Sequence, residues 1–186
     1  MIAYQPKAFV IPSRMIDVES AWKGLEKVIR PLMDDFDIRG NKALEFGVDY
    51  GYSTAVLANF FKEVIGVDAF EGDIHAGERK AVLELDPFKQ AQKNLEGFGN
   101  IRLIKADYKD FIKTDNSRYD LIHVDIVHTY DATFECGLWS ARHASMAIFH
   151  DTESYPDVKR AVEDIARETA KKSYNFPDYF GLGIVV

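Results

Sequence analysis

Five short apolar runs constrain this chain more than anything else in it. They are Lys42–Val48, Glu63–Phe70, Ile101–Asp107, Tyr119–Ile126 and Ser145–Asp151, each rich in Val, Ile, Leu or Phe. Between them lie stretches with apolar residues three and four apart, the spacing of one helical face. Strands alternating with helical crossovers predict a parallel α/β sheet. Right-handed crossovers then put helices on both faces. In such a sheet, ligands bind outside the C-terminal strand ends, where the strand order reverses. The residues at those five ends are therefore the first place to look for chemistry.

The helices are read from the same periodicity. A first helix is expected over Asp17–Met33, with Val18, Trp22, Leu25, Ile29 and Leu32 on one face and Pro31 kinking or ending it. A helix after the first strand turns Val56, Leu57, Phe60 and Phe61 inward, and Pro87–Phe98 places Phe88, Ala91, Leu95 and Phe98 together. Further helices are expected over Tyr130–His143 and from Pro156, where proline suits the first turn. The tail, Tyr174–Val186, reads as a pair of strands. The segment 71–86 is long for a connection and is expected to form a lid or substrate wall, or a surface helix. Residues 1–40 are the other expected cover, on a single domain spanning 1–186.

Composition narrows the function. The chain of 186 residues is 47% hydrophobic, enough for a core without disulfides. One cysteine, Cys136, fits a reducing, cytoplasmic setting and reads as a packing thiol. A net charge of −7 without a basic stripe argues against nucleic acid as a partner. No apolar run approaches the roughly 20 residues that span a bilayer, and the N-terminus lacks a signal-peptide pattern, so a soluble protein with no membrane partner is expected.

The first strand ends in "EFGVDYGYST". Gly47 and Gly51 let the backbone turn tightly and approach a ligand, and the helix opened by Ser53 offers free N–H groups. Their spacing is G-x-x-x-G, which disfavours a G-x-G-x-x-G dinucleotide site. Asp68, about twenty residues on at the second strand end, suits the ribose hydroxyls of an adenosine cofactor. Asp107, at the third, lies where an adenine edge would fall, and equally suits the N-cap of "YKDFI". "LIHVDIVHTYD", Leu121–Asp131, places His123 inside a core strand, where burial demands a hydrogen-bonded partner. Asp125 and His128 follow at its end. His75 and His143 have no role by spacing.

Taken in order, "ALEFGVDYGYSTAVLA", "VIGVDAF", "YDLIHVDIVHTYDA" and "MAIFHDTESYPDVKRAVEDI" resemble the class I S-adenosylmethionine-dependent methyltransferases. The resemblance covers roughly Lys42–Ala166 and is strongest to methyltransferase family 24, the group of macrocin-type sugar O-methyltransferases and cephalosporin hydroxylase-like proteins. It implies a Rossmann-like sheet of seven mostly parallel strands with an antiparallel last strand, "LGIVV". It implies that Glu45, Gly47 and Gly51, with Phe46 and Ser53, surround the methionine part of S-adenosylmethionine. Asp68 and Ala69 would hold the ribose, and Asp107 and Tyr108 the adenine region.

The resemblance further implies a divalent cation, Mg²⁺ or Mn²⁺, on Asp125, His150 and Asp151, with His128 as general base and Asp125 also near the methyl donor. Here the chain departs from its relatives. It has "DIVH" where they have "DGDH" or "DGSH", and His150 where they carry a second carboxylate. A mixed His/Asp set suits Mn²⁺, Fe²⁺ or Zn²⁺ better than hard Mg²⁺. The expected activity is O-methylation of a small hydroxylated, sugar- or polyol-like acceptor. Acceptor choice would lie in the covering segments or in a second subunit of a homo-oligomer. The alternatives are a metal-dependent hydroxylase-like enzyme on the same scaffold, and a non-catalytic S-adenosylmethionine-binding or assembly protein.

Overall fold

The computed structural model describes residues 1–71 and 86–186. The strands are β1 (Ile2–Ala3), β2 (Lys42–Phe46), β3 (Glu63–Asp68), β4 (Ile101–Lys105), β5 (Tyr119–Val124), β6 (Ala144–His150), β7 (Ser173–Phe176) and β8 (Leu182–Val185). They form one sheet in the order β1-β7-β8-β6-β5-β2-β3-β4. The helices are α1 (Ile29–Asp35), α2 (Tyr52–Ala58), α3 (Pro87–Leu95), α4 (Tyr108–Thr114), α5 (Tyr130–His143) and α6 (Pro156–Glu168).

All pairings are parallel except those of β8, which runs antiparallel to both β6 and β7. The expected α/β fold with an antiparallel last strand is thus present. The sheet has eight strands rather than seven, because Ile2–Ala3 adds a two-residue edge alongside β7. So short a run carries no periodicity, and only its pairing with Tyr174 and Asn175 makes it a strand.

Strand alternation sorts the core onto two faces. On one face Ala43, Leu121, Met146 and Ile148 pack with Trp22, Leu25, Ile29 and Leu32 of the N-terminal segment and with Val56 and Leu57 of α2. On the other, Leu44, Phe46, Ile122 and Phe149 pack with Cys136 and Ala141 of α5 and with Val162 and Ile165 of α6. Cys136 is fully buried, and burial pushes its thiol up, consistent with packing rather than reactivity.

The N-terminal cover differs from expectation. Residues 17–24 are not helical; a 3₁₀ turn at Leu25–Lys27 precedes α1. Gly24, at φ +108°, breaks the run, and a side chain there would collide with the Tyr179 ring. The apolar face read from the sequence is still buried, since Trp22, Leu25, Ile29 and Leu32 all enter the core. Pro31 sits in the first turn of α1, where its missing N–H costs nothing. The expected lid at 71–86 falls almost wholly outside the described residues. Among the described residues no helix is long and apolar enough to cross a membrane.

Candidate active site

Strand order reverses between β2 and β5, and a cleft of about 670 Å³ opens above their C-terminal ends. That volume suits a small-molecule site. Gly47 follows β2 with φ +90°. A Cβ there would lie 1.7 Å from the backbone oxygen of Asp125. The first turn therefore passes directly against the end of β5, and only glycine fits.

Asp68 ends β3 and grips this turn. Its Oδ2 accepts from the backbone N–H groups of Val48 (2.8 Å) and Asp49 (3.0 Å), and its Oδ1 from Phe70 (2.6 Å). A carboxylate has about four acceptor positions, so one remains for a ligand. Gly47, Ser53, Asp68, Ala69, Asp107, Tyr108 and Asp125 all line the cleft. Asp107 also caps α4, accepting from Lys109 N at 2.7 Å. Gly51 lies behind the turn as the left-handed residue that opens α2.

Glu45 and Phe46 lie beneath the cleft, not on its wall. Glu45 is fully buried; it accepts from Thr54 Oγ1, and its Oε1 lies 2.9 Å from His123 Nδ1. The two residues are register partners on β2 and β5. His123 thus has the structural partner its mid-strand position demanded. Its ring meets Trp22 edge-on, with centroids 4.7 Å apart. Phe46 faces the other way, into an aromatic cluster with Phe111 and Trp139.

The second half of the cleft brings Asp125, His128, His150 and Asp151 together. His128 Nε2 lies 3.0 Å from Asp151 Oδ2 and 3.6 Å from Asp125 Oδ1. His150 Nδ1 lies 3.3 Å from Asp125 Oδ2 and 3.2 Å from Asp151 Oδ2. Its Nε2 faces the Tyr179 carbonyl at 3.3 Å. Asp151 adopts φ +66°, a left-handed conformation that aspartate tolerates better than most residues. Burial would raise the two carboxyls, but the neighbouring histidines outweigh it and hold both below the usual range. Burial likewise disfavours charge on the histidines. The facing carboxylates win, pushing His128 up to about 9 and His150 up to about 10.

One ligand atom each from Asp125, His128 and Asp151 lies within 4.8 Å of the others. Bonds of about 2.1 Å span at most about 4.2 Å, so small side-chain rotations would bring all three onto one cation. This set differs from the expected Asp125, His150 and Asp151. Both His150 nitrogens face oxygen acceptors, and its side chain is 1% exposed. It is placed to orient the two carboxylates from behind.

The sequence reading did not reach Trp22, Tyr155 and Phe180, which also line this half. They come from the non-helical N-terminal segment, the residue before α6 and the tip between β7 and β8. Only Trp22 carries a periodic signal, and that signal places it in the core. For Tyr155, its position four residues past Asp151 in "HDTESYP" was the only available cue.

Known proteins corroborate the architecture. NovP, an O-methyltransferase, superposes with a TM-score of 0.65 at 14% identity, over 88% of this chain and 77% of that one. TomG from Streptomyces achromogenes, an O-methyltransferase of tomaymycin synthesis solved with S-adenosylmethionine, gives 0.58 at 13% identity, over 94% and 92%. Aeropyrum pernix fibrillarin with natively bound S-adenosylmethionine gives 0.60 at 11%, over 96% and 87%. These likenesses establish the fold. No curated protein matches the sequence. A methyltransferase domain family, however, matches residues 44–152, more than half of the chain and all of the strand ends described above. The chain belongs to that family, methyltransferase family 24.

Proposed function

We propose that the protein transfers a methyl group from S-adenosylmethionine to a hydroxyl of a small acceptor. One observation carries the reading. A single cleft joins the glycine turn and Asp68 to the cluster of Asp125, His128 and Asp151. Asp68 would hold the ribose with its remaining acceptor position, Asp107 and Tyr108 would flank the adenine, and Gly47 and Ser53 would border the methionine part. The second half of the same cleft would then hold the acceptor in line with the methyl donor. The family resemblance extends the acceptor to sugar- or polyol-like compounds.

An alcohol is a weak nucleophile at neutral pH, so the site must help its proton leave. Without a cation, His128 Nε2 takes that proton only in its neutral form; because Asp125 and Asp151 push it up to about 9, methyl transfer by this route should rise with pH toward that value. The donor set also fits a divalent cation, held by Asp125, His128 and Asp151. When bound, such a cation polarises the acceptor oxygen and lowers its pKa. Two carboxylates with one histidine reverse the two-histidine, one-carboxylate set of iron oxygenases, which weighs against the hydroxylase alternative.

Titration calorimetry tests the core of this reading. S-adenosylmethionine and S-adenosylhomocysteine should both bind the folded protein; binding of neither overturns it. Asp68→Ala should weaken S-adenosylhomocysteine by about 10–100-fold, since a hydrogen bond to a charged group contributes roughly 1.5–3 kcal/mol. An unchanged affinity would remove Asp68 from the ribose.

Mn²⁺ should raise the melting temperature of the full chain through binding to the native state. Asp125→Ala and Asp151→Ala should each lose that rise and keep S-adenosylhomocysteine affinity. A rise that survives in both variants would place the cation elsewhere.

A further inference from the structure

We infer that the acceptor seated above β5 and β6 is a planar hydroxyaromatic compound, and that Phe180 and Val127 select it. The inference rests on the methyl-transfer reading and sets a hydroxyaromatic acceptor in place of the sugar- or polyol-like one that the family resemblance suggests. The floor of this half of the cleft is polar, formed by Asp125, His128 and Asp151. Rings form much of its wall, beside the polar Glu19, Ser20 and Ser154 of the same cleft. His128 stacks on Tyr155 with centroids 4.2 Å apart and planes 15° from parallel. His150 meets Trp22 at 6.1 Å and Phe180 edge-on at 6.4 Å. Each histidine at the floor therefore has an aromatic ring beside it.

Two apolar groups at this end are left uncovered. Phe180 is 54% exposed and Val127 is 39% exposed, and both line the cleft. Large apolar groups left uncovered around a polar centre mark binding surfaces. A polyol presents hydroxyls on all sides. Those turned toward Phe180 and Val127 would lose water and find no partner there. A flat ring lays its faces on such walls and directs an edge hydroxyl toward His128 and the carboxylates.

Phe180 is also held in place. Its carbonyl accepts from Glu153 N at 2.9 Å, and the preceding Tyr179 carbonyl faces His150 Nε2 at 3.3 Å. Tyr179, Phe180 and Gly181 all have positive φ, a turn that only surrounding contacts sustain. A wall positioned before the ligand arrives loses little freedom on binding.

Calorimetry on the full chain tests the inference, with ortho-dihydroxybenzene and methyl glucoside titrated separately, with and without saturating S-adenosylhomocysteine. The dihydroxybenzene should bind saturably and the glucoside should give no heat. Phe180→Ser and Val127→Ser should each weaken the aromatic ligand about tenfold, as expected for exposing a buried apolar side chain, and leave S-adenosylhomocysteine affinity unchanged. Glucoside binding without aromatic binding overturns the inference. So does binding of neither while S-adenosylhomocysteine binds, or an aromatic affinity equal in wild type and both variants. Aromatic binding in a protein that ignores S-adenosylhomocysteine keeps the aromatic seat and overturns only the methyl-transfer reading.

Discussion

Gly47→Ala should lower the melting temperature by about 10 °C or more, from a loss of at least about 3 kcal/mol. Two costs combine at this position. The residue sits at φ +90°, where an L side chain is strained by roughly 1–3 kcal/mol. The added Cβ would also stand 1.7 Å from the Asp125 backbone oxygen. That oxygen cannot swing aside as a side chain would, because Asp125 N is tied to the Phe46 carbonyl at 2.8 Å. Relief requires moving the end of β5, and with it the Asp125 carboxylate. Gly99→Ala is the control, since a Cβ there meets nothing within 4 Å. It should change stability by less than about 0.5 kcal/mol. Equal melting curves for the two variants would show that the turn has no need of glycine.

The second large effect lies under the cleft. Glu45→Ala should destabilise the protein by about 3–5 kcal/mol, because it strips a fully buried imidazole of its partner. His123→Ala should cost a similar amount and leave Glu45 with Thr54 alone. The setting leaves little room for repair. His123 Nε2 and Trp22 Nε1 are already buried without a hydrogen-bond partner among the described residues. The double variant Glu45→Ala, His123→Ala should cost less than the two single variants added together, by about 1 kcal/mol or more, because neither residue is then left alone. Urea unfolding of the four proteins measures the coupling. Strict additivity would mean that the pair contributes nothing as a pair.

This second case shows where sequence reasoning reached and where it stopped. A histidine in the middle of an apolar strand must have a partner, and that could be said of His123 from its neighbours alone. Which partner could not. Glu45 stands 78 positions away, and strand register sets it opposite His123, on the face that packs against α2 and Trp22. Asp68 is a related case. Its position at a strand end marked it as a ligand group, but the structure also gives it three backbone N–H groups to hold. The periodicity over Asp17–Met33 identified the buried residues correctly and misjudged their backbone. A spacing of three and four reports which side chains share a face, and the left-handed Gly24 interrupts the helix without changing that face.

The metal set illustrates the same boundary. Asp125, His128, His150 and Asp151 were legible because the ends of parallel strands converge. Both histidines turn a ring nitrogen toward the carboxylates, at distances that ring orientation sets and spacing in the sequence does not encode. The aromatic walls depend still more on distance in space. Trp22, Tyr155 and Phe180 come from three separated parts of the chain and line one cleft, Phe180 from the turn that leads into β8 beside β6.

By itself, the sequence determined the alternation of strands and helices, hence the parallel sheet, the face of each core residue and the strand ends where chemistry collects. These follow from local rules, since side-chain direction repeats every two residues in a strand and every 3.6 in a helix. The tertiary structure alone decided the Glu45–His123 pairing, the left-handed break at Gly24, the approach of His128 and His150 to the two carboxylates, and the rings around that cluster. Each of these depends on contacts between residues distant in sequence, which pattern and spacing do not encode.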